Sequence, residues 1–236
     1  MIQNITDRID AMFSDLIFDE QRHLYFVKDR RLPSVSSKVE SHAEKFDVNK
    51  WAPICARREG ITEHEIRHKW QTINKDACDL GHETHDYLEH FNGLKTPSTP
   101  QEKAGIKFLT DYLNDYRIVR REIRMYSRKY WYAGTADLLL YNIRTGEFAL
   151  ADYKTNRDLF KGYGFLLPPF QYLECHPYNK YQLQLSYYQL LLKEISINIT
   201  RRMVIHLKAD ETYKVYDTYD FTPQIEEHLN SNRIYA

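Results

Sequence analysis

Residues 130–154, YWYAGTADLLLYNIRTGEFALADYK, decide the fold of this chain. The segments YWYAGTADLLLYN and GEFALADYK have the period of β-strands, and RTG between them is typical of a tight turn. RIVRREIRMYS, just upstream, has the same period. We therefore predict three consecutive strands in the middle of the chain.

The segments on either side of these strands have mainly helical patterns. Upstream, HLYFVKDRRLPSV predicts a small hairpin, Ser34 opens a helix, Thr62 and Glu65 form a capping-box pattern, and Pro100 starts a further helix. Downstream, NKYQLQLSYYQLLLKEI predicts an amphipathic helix, RRMVIHL and TYKVYDTY a hairpin, and FTPQIEEHLNSN a terminal helix. We expect one α/β domain of 236 residues, with residues 1–115 mostly helical and residues 116–236 forming a mixed central sheet flanked by helices.

The composition excludes several classes of protein. The 33 basic and 33 acidic residues give a net charge of zero, so any DNA-binding surface must be local. Three scattered cysteines without a CxxC pair indicate neither a zinc ribbon nor a disulfide framework. No apolar stretch approaches the roughly 18 residues that a membrane span requires, and the N-terminus lacks a secretory cleavage site. We expect a soluble cytoplasmic protein without a membrane partner.

Two acidic residues and a lysine carry the chemistry. Asp137 and Asp152 are separated by fourteen residues that include the predicted turn, so they can lie on adjacent strands with their side chains on one face. Lys154 follows Asp152 by two positions and points to the same face. Two close carboxylates favour a hard divalent cation, and the lysine could orient water or stabilise charge on a phosphate. This pattern predicts metal-assisted phosphodiester hydrolysis.

The alternative is that Asp152-Tyr153-Lys154 is an exposed strand end and Asp137 a turn residue, because a DxK tripeptide is common. The apolar neighbours of both aspartates argue against that interpretation, since an acidic residue in an apolar strand is costly unless it is paired or binds a metal.

Other motifs stand in a set order around this pair. They are GxxxH at Gly81 and His85, an acid at Glu122 on the preceding strand, Gly134-Thr135-Ala136-Asp137, and QxxxY at Gln184 and Tyr188. Together they resemble the PD-(D/E)XK nucleases, in particular the RecB-like branch. That branch includes the CRISPR adaptation exonucleases, the mitochondrial genome maintenance exonuclease and many phage exonucleases. The resemblance implies a restriction-endonuclease-like fold and a metal-dependent deoxyribonuclease.

The resemblance also implies a metal site. His85, Asp137, Asp152 and the carbonyl of Tyr153 would hold one or two Mg²⁺ or Mn²⁺ ions. Taken alone, His85 could be a surface helix residue, and His82 is a competing candidate out of step with the glycine spacing. Some relatives bind an iron–sulfur cluster through four cysteines, which three scattered cysteines cannot supply, so no cluster is expected.

The remaining catalytic roles come from the same resemblance. Asp137 and Asp152 act with Lys154, Glu122 is an auxiliary acid, and Gln184 and Tyr188 orient the lysine and contact the substrate. Glu122 alone could equally be a strand-surface charge.

Basic residues concentrate before the first acidic motif and are the predicted DNA-binding residues, namely Arg120, Arg121, Arg124, Arg128 and Lys129. Phosphate binding needs only a local stripe of charge, although such a run can also merely solvate a strand face. The aromatic segment GYGFLLPPFQYLECHPYN could stack bases or pack over the sheet edge. We hypothesise that the helical half arches over the site and threads a DNA end.

The predicted function is a DNA exonuclease acting on free ends of single-stranded DNA, in recombination, repair or phage DNA metabolism. The alternatives are an endonuclease of structured or duplex DNA and a non-catalytic DNA-binding protein on a nuclease fold. The chain has no Walker motif, so unwinding would require a helicase, a single-strand-binding protein or a recombination partner.

Overall fold

A computed structural model of the chain describes residues 2–233. Within these residues the elements are α1 (Ile2–Met12), β1 (Leu16–Asp19), β2 (Leu24–Val27), β3 (Arg30–Leu32), α2 (Val35–Glu40), α3 (Val48–Glu59), α4 (Glu63–Glu89), α5 (Pro100–Tyr112), β4 (Tyr116–Tyr126), β5 (Ala133–Asn142), β6 (Phe148–Lys154), α6 (Pro177–Glu194), β7 (Ile199–Leu207), β8 (Tyr213–Asp217) and α7 (Thr222–Arg233). The α/β class is confirmed.

A five-stranded mixed sheet in the order β4-β5-β6-β7-β8 forms the centre of the fold. The predicted run of three strands is confirmed as two antiparallel pairs, β4 with β5 and β5 with β6. β6 and β7 are parallel, because α6 carries the chain back across the sheet before β7 begins. β8 closes the order with the predicted hairpin.

Helices cover both faces of this sheet, which explains its apolar strands. Leu138 and Leu140 pack with Phe108 of α5 in one core cluster. Leu139 points the other way and packs with Leu183 and other residues of α6 in a second cluster. The run Leu138-Leu139-Leu140 therefore serves two cores, since successive side chains of a strand alternate between faces.

A smaller three-stranded antiparallel sheet, β1-β2-β3, lies in the N-terminal half. The predicted hairpin is confirmed as β2 and β3, and Leu16–Asp19, for which no strand was predicted, forms a third strand on β2. Leu16-Ile17-Phe18 is an apolar run without alternation, so pairing with β2 decides its conformation. Pro33 O accepts a hydrogen bond of 3.0 Å from Ala133 N, which joins the end of this sheet to the start of β5.

The predicted capping box begins the long helix α4. Glu65 N donates to Thr62 Oγ1 at 3.2 Å, and Thr62 N donates to Glu65 Oε2 at 2.7 Å. Residues 71–79 are exposed on all sides, whereas the last turns are buried against the body of the protein. α4 thus packs its start on α3 through Ile66, exposes its middle, and packs its end beside β5. Of the helices in residues 2–233, none has the length and apolarity that a membrane crossing requires.

Candidate active site

Three carboxylates lie in a row across three neighbouring strands. Leu138 and Ala151 are the last pair of the β5–β6 ladder at this end, so Asp137 and Asp152 face each other one step beyond it. In the β4–β5 register Glu122 stands opposite Asp137. Cross-strand neighbours share a face of the sheet, which brings the three acidic side chains together.

A β-bulge creates the place of Glu122 in this row. The register of β4 and β5 shifts between Ile118 and Arg120. Without this shift, the pairing of Ile118 with Leu140 would continue to Arg121 opposite Asp137. The extra residue of the bulge therefore exchanges a basic for an acidic neighbour, because a slip of one residue moves every later side chain. Glu122 itself has a positive φ of 45°.

Where β5 and β6 separate, the side chain of Asp137 accepts a hydrogen bond in place of a backbone carbonyl of the ladder. Its Oδ2 accepts a hydrogen bond of 2.6 Å from the backbone N–H of Tyr153. Its Oδ1 lies 3.4 Å from Nδ1 of His85. The side chain is 7% exposed, so it is held by a backbone donor on one side and an imidazole on the other.

His85 reaches this row from the last turns of α4. Its Nε2 lies 3.1 Å from Tyr153 O, and its Nδ1 lies 4.0 Å from Glu122 Oε1 in addition to the contact with Asp137. Burial lowers the pKa of His85, but the Asp137 carboxylate outweighs it and raises that pKa to about 9. This agrees with the geometry, because both ring nitrogens face oxygen atoms and a protonated imidazole has two donors.

His85, Glu122 and Asp137 form a group that could hold a metal ion, with one ligand atom from each within 4.8 Å of the others. The predicted ligand set differs from this group. The Asp152 carboxylate is instead paired with the Lys154 ammonium, and the Tyr153 carbonyl is engaged by the His85 ring. The geometry thus adds Glu122, predicted as an auxiliary acid, to the candidate ligands.

Negative charge dominates the row. Burial, then repulsion from Asp137, raises the pKa of Glu122 to about 8. The same two causes raise the pKa of Asp152 to about 6, although Lys154 opposes them. Carboxyl groups this close together cannot all be ionised at little cost, so either some of them are protonated or a cation lies between them.

The ammonium of Lys154 is held from two sides. It pairs with Asp152, and its Nζ lies 4.5 Å from the centre of the Tyr181 ring. Burial lowers the pKa of Lys154, but the nearby carboxylates outweigh burial and keep that pKa above the usual range. Tyr181 in turn donates from its hydroxyl to Asn156 Oδ1 at 2.7 Å.

The QxxxY residues make a different contact from the one the resemblance implied. Gln184 Nε2 donates to Tyr188 OH at 2.8 Å, and no hydrogen bond among residues 2–233 joins either side chain to Lys154. Tyr181 was missed by sequence reasoning. The spacing of 181, 184 and 188 places all three on one face of α6, which was the available signal.

The glycines of the two motifs serve different purposes. A Cβ on Gly134 would lie 2.7 Å from Tyr188 Cε1 and 2.8 Å from Val35 Cγ2, so only glycine fits there. A Cβ on Gly81 would lie 3.7 Å from Thr155 Oγ1, an ordinary contact. The GTAD glycine is thus sterically required, whereas the GxxxH glycine is not.

The site opens into a cavity of about 1430 Å³. Its walls come from α4, α6, the small sheet and the ends of β5, β6 and β7. His206, also missed from the sequence, lines it and donates from Nε2 to Asn156 O at 2.6 Å. Arg157 and Lys208 also line it, and neither forms an ion pair with any residue in the range 2–233. The cavity therefore carries basic charge beside its acidic floor.

Of the five predicted DNA-binding residues, only Arg124 lines this cavity, where it pairs with Glu20 at 2.8 Å. The other four contact other elements of the fold. The ion pairs are Arg120–Asp10 at 2.8 Å, Arg128–Asp15 at 3.1 Å and Lys129–Glu226 at 3.6 Å. Arg121 Nη1 donates to the carbonyls of Glu89 and Phe91 at 3.3 and 3.2 Å. The geometry brings Arg121 to the C-terminal end of α4, where a basic group is favourable.

Comparisons with known proteins return little. No family model matches the chain, and no curated protein matches it. Among solved structures, one described as "Crystal structure of SSO0001" has a TM-score of 0.35 and 17% identity, covering 85% of this chain and 83% of that chain.

Proposed function

We propose that this protein is a metal-dependent nuclease of the PD-(D/E)XK type, which hydrolyses phosphodiester bonds in DNA on a restriction-endonuclease-like core. One observation carries the proposal. Glu122, Asp137 and Asp152 stand in register on three strands, beside His85 and Lys154, at the floor of a large open cavity.

The donor set fits a hard divalent cation. Two carboxylates and one imidazole with ligand atoms within 4.8 Å suit Mn²⁺ or Mg²⁺. Burial, and then repulsion from Asp137, raises the pKa of both Glu122 and Asp152, and a bound cation would offset that repulsion. Glu122, Asp137 and Nδ1 of His85, which must lose its proton to bind a metal, would hold the ion, with Asp152 next in the row. When bound, such an ion lowers the pKa of water and polarises a phosphate.

Lys154 supplies a fixed positive charge next to this set. Its ammonium stays protonated between Asp152 and the Tyr181 ring. A preorganised cation at this position stabilises the negative charge that develops on phosphate oxygens during hydrolysis. Tyr181 and Asp152 therefore act as positioning residues for the lysine, and Gln184 and Tyr188 line the wall above it.

We expect the substrate to be a strand with a free end, as the resemblance to the RecB-like exonucleases implies. The cavity is wide and is bordered by the exposed part of α4, and Arg124, Arg157 and Lys208 can contact phosphates along it. Linear single-stranded DNA should be degraded and closed circular single strands should be spared. Equal rates on both would exclude the need for an end and favour an endonuclease.

The test of nuclease chemistry is cleavage of 5′-labelled linear single-stranded DNA with Mg²⁺ or Mn²⁺. Asp152→Asn and Asp137→Asn should each lose on the order of 100-fold or more in rate. Asp76→Asn, an exposed acid on α4, is the matched control and should keep the wild-type rate. Activity that survives in both site variants, or that resists a chelator, would refute the proposal.

A further inference from the structure

A second groove, of about 500 Å³, lies between two hairpin turns away from the carboxylate row. The turn from β2 to β3 contributes Lys28, Asp29 and Arg30, and the turn from β4 to β5 contributes Arg128 and Trp131. This volume falls in the range that small ligands fill. No residue of the groove lines the large cavity.

Two residues of this groove have backbone conformations that L-amino acids avoid. Trp131 and Lys28 both have a φ of 54°. In the β4–β5 turn, Trp131 N donates to Ser127 O at 3.0 Å and Ser127 N donates to Tyr132 O at 2.8 Å, so the turn imposes the left-handed conformation. Glycine or asparagine suits such a position better than tryptophan. An indole kept there against its backbone preference points to a use for the ring, because strained residues cluster at ligand sites.

The side chains in the groove suit a nucleotide. The Arg30 guanidinium lies 4.4 Å from the centre of the Trp131 ring, and Trp131 is 36% exposed. Lys28 and Arg30 are exposed and form no ion pair within residues 2–233. Asp15, also in the groove, is already occupied by Arg128 and Tyr126. Bases stack on aromatic rings and guanidinium planes alike, and free basic groups bind phosphates.

The groove is joined to the proposed active site through one strand. Trp131 precedes Asp137 by six residues, which corresponds to about 20 Å of extended chain. Ser34 bridges Ala133 between the two positions, and Ser34, Gly134 and Thr135 line the large cavity. The groove and the carboxylates therefore lie within about 20 Å of each other along β5.

We propose that this groove is a second binding site for single-stranded DNA, in which a base stacks on the Trp131–Arg30 pair and Lys28 contacts a phosphate. The inference rests on the proposed function only in naming DNA as the ligand. The groove shares no lining residue with the cavity that contains the three carboxylates, so it would hold the strand and take no part in hydrolysis.

The first test replaces the ring and relieves the strain in one step. In an Asp152→Asn background, Trp131→Gly should bind a labelled oligothymidylate roughly tenfold more weakly, since loss of one stacked base has about this effect. Its Tm should stay near that of the parent, because glycine accepts a φ of 54° and this gain offsets the lost packing of the indole. Ser196→Gly, which relieves a φ of 57° elsewhere, is the matched control and should leave binding unchanged. Unchanged affinity in Trp131→Gly overturns the inference.

The second test leaves Trp131 in place and reports on it directly. In Trp51→Phe/Trp70→Phe, Trp131 is the sole indole, and its fluorescence should be quenched as oligothymidylate is added. Absence of quenching, or equal quenching by duplex DNA, would overturn the site. If Trp131→Gly weakens binding and yet no metal-dependent cleavage exists, the groove stands and the proposed function fails. If cleavage exists and the groove variants bind normally, the reverse holds.

Discussion

At the scale of single residues, the two motif glycines differ in whether a larger side chain would fit. Gly134 lies against Tyr188 and Val35 with no room for a methyl group, whereas Gly81 lies in a helix with room beside Thr155. In the sequence the two glycines look alike, since each precedes a candidate site residue by three or four positions. Only the packing around each glycine shows which one can be replaced.

We expect opposite effects of alanine at these positions. Gly134→Ala should destabilise the protein by about 1–3 kcal/mol, because two neighbours must move by several tenths of an ångström. Gly81→Ala should stabilise it by about 0.5–1 kcal/mol, because alanine is the better helix residue. Urea unfolding of both variants measures this difference. A stabilising effect of Gly134→Ala would contradict the close packing of Tyr188 and Val35 against this glycine.

Tyr181 is expected to act on catalysis through Lys154. Tyr181→Phe keeps the ring face under the ammonium and should retain most of kcat. Tyr181→Leu removes that face and should lower kcat about tenfold with little change in KM. The split between kcat and KM is the readout, since a structural role alone would not depend on an aromatic ring. Equal losses in the two variants would instead assign the effect to the hydroxyl and Asn156.

At the scale of elements, two helices begin with the same capping box but differ in what they pack against. Thr62 caps α4, whose first half is largely exposed, and Thr99 caps α5, which buries Ala104 and Phe108. The same local hydrogen bonds therefore begin one helix that packs on α3 through the small cluster around Ile66 and another that packs in the core of the central sheet.

Removing each cap should separate local from global stability. Thr99→Ala should lower the free energy of unfolding by about 1 kcal/mol, because α5 is part of the core. Thr62→Ala should instead accelerate hydrogen exchange in the first turns of α4, with a smaller effect on global unfolding. Hydrogen exchange and urea unfolding of the pair decide this. Equal global losses would mean that the exposed part of α4 unfolds together with the core.

At the scale of the whole molecule, a buried histidine joins three helices. His42 follows α2, its Nε2 lies 3.3 Å from Tyr187 OH on α6, and its ring centre lies 5.2 Å from that of His228 on α7. Burial, with smaller contributions from His228 and Lys38, lowers the pKa of His42 to about 4. This junction therefore prefers a neutral imidazole.

The sign of the resulting pH effect follows from linkage. The pKa of His42 is lower in the folded than in the unfolded protein, so its contribution is complete above pH 6.5 and is lost as the pH falls through about 4. Between pH 7 and about pH 5 we expect the wild type to lose roughly 1–2 kcal/mol more than His42→Gln. His64→Gln, an exposed histidine, should behave like the wild type. Parallel curves for His42→Gln and the wild type would contradict this assignment.

The sequence by itself determined the local features of this protein. The strands β4 to β6, the capping box at Thr62, the helix start at Pro100, and the meeting of Asp137 with Asp152 follow from strand period, turn chemistry and hydrogen bonds within a few residues. Each of these depends on neighbours close in the chain, so pattern reasoning reaches them.

Only the tertiary structure decided how the candidate site is completed. The bulge between Ile118 and Arg120 puts Glu122 rather than Arg121 beside Asp137, and the packing of α4 brings His85 to the same point. Tyr181 takes the place under Lys154 that the motif suggested for Gln184 and Tyr188. These outcomes depend on register and on contacts between residues far apart in sequence, where a shift of one residue reverses which side chains meet.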